Sequence, residues 1–202
     1  NQYFNKEYKK AKKTLKNFKK ENEFYYWYRI KKEVQIISDQ RNITESLNYI
    51  GSEFEKMDQT NDKILYDIAN IYRNFKEYKK AIKFYSIILD NEINNLDIKS
   101  EIFYRRGSSY ERLGEYKKSD KDLLQSLKIN PNDAYVLNYL AYSWLERDHK
   151  IDEAIKMLEE AYNTESNDPY IIDSIGWAYY LTDNYFKAES FLKRAVEIMP
   201  ND

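Results

Sequence analysis

The chain has 202 residues, with 33 Lys and Arg against 34 Asp and Glu, and a formal net charge of −1. Four Gly, three Pro and no Cys suit long helices with short connections, and the absence of Cys excludes disulfide and thiolate chemistry. No run of 18 apolar residues offers a membrane span, and no charged-then-apolar leader opens the sequence.

The first predicted helix runs from Tyr3 to Lys20, with Tyr8, Ala11, Leu15 and Phe18 on its apolar face. The chain starts at Asn1 inside this pattern, so a fragment or mature piece of a longer protein is expected, with room for a signal peptide ahead of it. Residues 1–33 carry ten Lys and one Arg against four Glu, a formal +7 that leaves −8 for the remainder. A nucleic-acid or anionic-membrane surface is one reading of such charge. A solvated back face is favoured, because Lys9, Lys10, Lys12, Lys13 and Lys16 spread around the helix and no Arg cluster accompanies them.

A longer helix is expected over 22–40, with Trp27, Ile30, Val34 and Ile37 on one stripe, followed by a partner from Ile43 to Asp58 bearing Ser46, Ile50 and Phe54. The aromatic run Phe24 to Tyr28 is expected to pack outside this pattern. Asp62 is read as an N-cap for the next helix, where Ile68, Ala69 and Tyr72 lead into Tyr78, Ala81 and Tyr85. The stretch Asn91 to Asp97 reads as a polar connection. From Ser100, Phe103, Gly107, Tyr110, Gly114, Tyr116, Leu123 and Pro131 continue the alternation of large and small residues. Ser119 and Ser126 are expected to return their hydroxyls to carbonyls one turn back. Leu140, Ala141 and Trp144 then face Ala154, Leu158 and Ala161 across a turn lengthened at Asp148-His149-Lys150. The last segment, Pro169 to Asp202, places Gly176, Tyr179, Ala188, Leu192, Ala195 and Pro200 in one 34-residue unit.

The small residue of each second helix falls at Ala11, Ser46, Ala81, Ser119, Ala154 and Ala188, at intervals of 35, 35, 38, 35 and 34. With its matching aromatic and Pro positions, this recurrence resembles the tetratricopeptide repeat. The resemblance implies an all-α fold of antiparallel helix pairs, a solenoid wound as a right-handed superhelix. It implies one array over 1–202: a truncated repeat at 1–21, a divergent one at 22–61, then 62–99, 100–133, 134–168 and 169–202. The divergent repeat has Val34, Glu33 and Glu53 where a small residue, Leu and Ala are usual. Because the array closes at Asp202 without a polar capping helix, a further neighbour is expected in the whole protein. The segments FYRRGSSYERL, VLNYLAYSWL and DSIGWAYYL are similar to an alphaproteobacterial group of these proteins. That likeness slightly favours a periplasmic or exported location over a cytoplasmic one.

The resemblance also places positions 2, 5, 9 and 12 of each first helix on a concave wall. The groove candidates are Tyr66, Asn70 and Arg73; Tyr104 with the adjacent Arg105 and Arg112; Asn138 and Tyr142; and Asp173, Trp177 and Tyr180, with Leu145 also facing the groove. Tyr, Trp and Arg are the types enriched in binding hot spots. Trp177 is expected either to carry most of the binding or to pack toward the absent neighbour. A clamp for a C-terminal carboxylate is not supported: the matching positions hold Lys31, Gln35, Asp67, Glu101 and Arg105, with two acidic intruders.

Catalytic chemistry finds little support. His149 is the single histidine and lies in a polar turn, no Gly-rich phosphate loop exists, and carboxylate pairs such as Glu159-Glu160 belong to solvated faces. The expected function is a non-catalytic scaffold that binds a protein or peptide segment, without cofactor, metal or nucleic acid. A structural spacer that self-associates through the array ends is the alternative.

Overall fold

A computed structural model describes residues 7–18, 22–40, 42–57 and 61–200. These residues form eleven α-helices and no strand. In order they are α1 (Tyr8–Leu15), α2 (Glu23–Asp39), α3 (Ile43–Phe54), α4 (Asp62–Asn74), α5 (Tyr78–Asp90), α6 (Leu96–Glu111), α7 (Tyr116–Ile129), α8 (Ala134–Leu145), α9 (Ile151–Thr164), α10 (Pro169–Leu181) and α11 (Tyr185–Ile198). The chain divides into two compact units, Asn1–Ile88 and Leu89–Asp202. Tyr3, Lys20, Asp58 and Asp202, named as expected element limits, lie outside the described residues.

Helix starts are fixed by short polar side chains. Asn22, Asn42, Asn61, Asn95, Asp133, Asp168 and Asn184 each turn a side-chain oxygen onto N–H groups of the following first turn, satisfying donors that have no partner within the helix. Two starts differ from expectation. The cap of α4 is Asn61, whose extended backbone aims its Oδ1 at the N–H groups of Lys63 and Ile64, so Asp62 becomes the first helical residue. Asn95 caps α6 through the N–H of Ile98, which draws the end of the expected polar connection into the helix.

The turns inside pairs share one backbone device. Lys76, Gly114, Asp148 and Asp183 all have positive φ. The next residue in each case, Glu77, Glu115, His149 or Asn184, donates its N–H to the carbonyl of Tyr72, Tyr110, Trp144 or Tyr179 at 2.9 Å. This left-handed stop closes the first helix and sends the second back antiparallel. Gly114 meets the requirement without a Cβ; Lys76, Asp148 and Asp183 adopt the same conformation with one.

In the N-terminal unit, Ala11 and Leu15 of α1 bury against Ile36 of α2. Between α2 and α3 the core is Ile30, Val34, Ile37, Ile50 and Phe54. The polar intruders there are satisfied rather than expelled. Glu53 is 8% exposed, accepts from the Tyr26 hydroxyl, and pairs with Lys56 at 2.7 Å. Glu33 accepts from Tyr49 and lies 3.7 Å from Arg29. The aromatic run packs within the array, not outside its pattern as expected: Tyr26 and Trp27 are buried, Trp27 Nε1 donates to Asp67 of α4 at 2.8 Å, and the Phe18 ring lies 5.8 Å from Tyr25 and 5.9 Å from Tyr28. Across α4 and α5, Phe84 stacks on Tyr72 at 5.7 Å while Ala69 and Ala81 are fully buried.

In the C-terminal unit the pairs α6/α7, α8/α9 and α10/α11 stack around one core running from Leu123 through Leu140 and Trp144 to Ile175 and Ala188. The two glycines of the first helices mark the closest crossings. A Cβ on Gly107 would stand 3.0 Å from Leu123 Cγ, and one on Gly176 would stand 2.9 Å from Leu192. Arg106 closes the α6/α7 pair by gripping Asp122 with two bonds of 2.6 and 2.9 Å.

The serines that replace alanines behave differently from expectation. Ser126 does not bond back along its own helix: its hydroxyl donates to the Ser100 carbonyl at 3.0 Å, and Ser100 returns a bond to the Ser126 carbonyl at 3.1 Å. Ser119 Oγ is buried without a hydrogen-bond partner among the described residues. An unpaired buried hydroxyl destabilises, whereas a helical Ala costs nothing there. Ser119→Ala should therefore stabilise the C-terminal unit by about 1 kcal/mol, and Ser126→Ala should destabilise it by a similar amount. Urea melts of the two variants moving in the same direction would contradict this assignment.

Stability of the N-terminal unit should fall at both pH extremes through Tyr26 and Glu53. Burial raises the Tyr26 hydroxyl to about 12, helped by its bond to Glu53. Burial also pushes Glu53 up, but the bonds from Lys56 and Tyr26 outweigh it and hold the carboxyl below its ordinary value. The raised tyrosine contributes stability below pH 10 that is lost as pH rises toward 12; the lowered carboxyl contributes stability that is lost as pH falls through its depressed value. In Tyr26→Phe the alkaline loss should shrink, and the acid loss should shrink as well, because without the Tyr26 bond the Glu53 carboxyl is held less far below its ordinary value. Denaturant midpoints measured from pH 3 to 11 check both limbs.

Candidate functional site

A groove in the C-terminal unit lies over three successive first helices, α6, α8 and α10, with a volume of about 660 Å³. Its lining includes Arg112, Asn138, Tyr142 and Asp173, four of the residues singled out from sequence. The stripe Leu137, Leu140, Ala141 and Trp144 of α8 is committed to the core, so Asn138 and Tyr142 on the adjoining stripe face the groove. Asn138 Oδ1 is buried and has no hydrogen-bond partner among the described residues. Tyr135, Tyr142, Tyr170 and Tyr180 are each 41–59% exposed.

The carboxylates organise the groove wall. Glu146, one turn beyond Tyr142, accepts from Trp177 Nε1 at 3.2 Å. Burial raises Tyr142, and the nearby Glu146 and Asp173 charges add to it. Burial likewise raises Tyr139, reinforced by Glu111, whose carboxylate accepts its hydroxyl at 2.9 Å. Arg147 crosses to Asp120 with two bonds, 2.7 and 3.3 Å, and lies 4.6 Å from the Tyr116 ring. Arg112 stands 3.5 Å from Glu111.

Other candidates take different places. Trp177 is half-buried against the core and stacks on Tyr180 at 5.4 Å, so it joins core and groove. Tyr104 packs edge-on to Tyr139 at 5.7 Å, and Arg105 pairs with Glu101 along α6. In the N-terminal unit, Asn70 accepts from the buried Tyr85 hydroxyl at 2.5 Å, which ties it into the α4/α5 pair. Tyr66 sits beside the same ring at 6.4 Å, and Arg73 is half-buried on α4. Leu145, read as groove-facing, is 4% exposed and belongs to the core. A separate groove of about 490 Å³ in this unit is lined by Tyr28, Lys31, Lys32, Gln35, Ile71 and Phe75 among others, without a carboxylate. Lys31 Nζ bonds Asp67 at 2.6 Å, so that acidic intruder occupies the lysine itself.

Sequence reasoning missed Tyr139, Ser143, Glu146 and Arg147 as lining residues. They lie one step around the helix from the stripe expected to face inward, and a wider inward arc would have included them.

Family models of the tetratricopeptide repeat match residues 62–86 and 100–133. The chain carries tetratricopeptide repeats, and its fold is the helix-pair fold of that class. It is 29% identical over 100 residues to a tetratricopeptide repeat-containing protein of Pseudomonas aeruginosa, covering 50% of this chain and 17% of that protein. It is 40% identical over 80 residues to one from Methanocaldococcus jannaschii, covering 40% of this chain and 13% of that protein. The matched part is thus a small fraction of either relative. Among solved structures, BtubC from P. vanneervenii matches with a TM-score of 0.74 at 15% identity, covering 94% of this chain and 87% of its own. YrrB, described as having an unusual peptide-binding site, matches at 0.61 and 19% identity, covering 95% and 93%. Both likenesses are of fold.

Proposed function

We propose that the chain is a non-catalytic scaffold whose C-terminal groove receives a segment of a protein partner, extended or helical. The observation that carries this reading is Asn138 Oδ1, a buried acceptor without a partner on the floor of an open groove. Buried polar atoms are nearly always paired, and a backbone N–H of an entering segment has the chemistry to pair with this one. The exposed Tyr142 and Tyr170 in the same lining supply large apolar area with little side-chain entropy to lose, each with one polar handle. The peptide-binding site described for YrrB supports the class of ligand, not its identity.

A second reading, self-association as a structural spacer, draws on α11, where Phe186 is 87% exposed and Val196 61%. The two separate in one experiment. Peptides of 12 residues are selected from a random library on the immobilised protein and measured by fluorescence polarisation. Tyr142→Ala should weaken the selected peptides by roughly 30-fold, or about 2 kcal/mol, and Asn138→Ala should weaken them to a lesser extent, with thermal midpoints nearly unchanged. Peptides indifferent to both substitutions, together with self-association lost in Phe186→Ser, would support the spacer instead.

A further inference from the structure

The C-terminal groove contains a carboxylate set among aromatic faces, and its electrostatics select what enters. Glu146 accepts from a neutral donor, the indole of Trp177, and no Lys or Arg of the described residues pairs with it. It is exposed on the groove wall. On α10, Asp173 lines the same groove, and Trp177, which bonds Glu146, stacks on Tyr180 one helical turn away. Both groove guanidiniums lie beside carboxylates, Arg147 bonded to Asp120 and Arg112 within 3.5 Å of Glu111. The surroundings agree: residues 89–202 hold 14 Lys and Arg against 22 Asp and Glu, a formal −8, while residues 1–88 hold 19 against 12.

We propose that Glu146, Asp173, Tyr142, Trp177 and Tyr180 form a receptor for a cationic side chain, so that the segment bound by this groove presents a Lys or Arg. The inference rests on the groove-binding reading above. A cation on an aromatic face is held by the ring quadrupole, and desolvation strengthens this. A carboxylate without a cationic partner supplies the charge that completes the site. Trp177 holds Glu146 in position through its indole N–H, so the carboxylate is oriented before a ligand arrives. The net charge of the unit favours encounter with basic segments in a salt-dependent way.

The test uses four fluorescent sub-libraries of 12-residue peptides that differ only in one fixed central residue, Arg, Lys, norleucine or Glu, with random flanks. Arg and Lys pools should bind about tenfold tighter than norleucine, with Glu weakest. The preference should fall to about twofold in Glu146→Gln and diminish at high salt, while norleucine binding stays the same. Norleucine or Glu pools binding as tightly as Arg, or a preference that survives Glu146→Gln, overturns the cationic receptor. If all pools still lose affinity in Tyr142→Ala, the groove reading stands without it. Binding by no pool overturns both. Sedimentation of the chain alone checks the remaining occupant: salt-sensitive self-association lost in Glu146→Gln would assign the site to the basic residues of a second copy and overturn the separate partner.

Discussion

The architecture depends on how closely two helices of a pair approach. At Gly107 and Gly176 the facing leucine fills the space a Cβ would need, and at Ala81, Ala154 and Ala188 the small second-helix residue is almost wholly buried. Close approach makes each pair a thin slab, with large side chains left free to fill the space between pairs. Leu140 and Trp144 of α8, and Ile175 of α10, join one continuous core in this way. Interiors at such density tolerate little added volume, which is why the small positions recur while the residues between them vary.

Where the sequence departs from the small-residue pattern, polar chemistry replaces it. Glu53 stands where Ala is usual, and its charge is met by Tyr26 and Lys56. Ser126 and Ser100 exchange bonds across α6 and α7. Arg106 and Asp122 lock the same pair, with the Asp122 side chain only 4% exposed. Pairs of this kind stabilise little beyond well-packed apolar residues, and breaking one partner costs far more than the pair contributes. The contacts made by Tyr26, Ser100 and Arg106 each join the first helix of a pair to its own second helix.

Much of the fold was legible because one constraint recurs. The small position returns at Ala81, Ser119, Ala154 and Ala188, and a stripe of apolar residues accompanies each. Element ends were less legible: Asn61 and Asp62 are both acceptable caps by type, and only the extended backbone at Asn61 decides between them. The serine roles were hidden for a similar reason, since a hydroxyl within reach of two carbonyls is assigned by helix separation, a tertiary quantity. At the groove, Asn138, Tyr142 and Asp173 follow from position along the helix, whereas Glu146 does not, because its importance comes from Trp177 on a different helix.

Asn70 and Asn138 show how an inward position becomes structural or stays available. Asn70 is the ninth residue of α4 and Asn138 the fifth of α8, one turn apart in register, and Asn70 is held by the Tyr85 hydroxyl from the second helix of its own pair. The residue of α9 at the place of Tyr85 is Leu158, which has no donor to offer. The residue of α8 in register with Asn70 is Tyr142, an aromatic side chain that lines the groove, so the same register position is tied to the second helix in one pair and turned to the groove in the other.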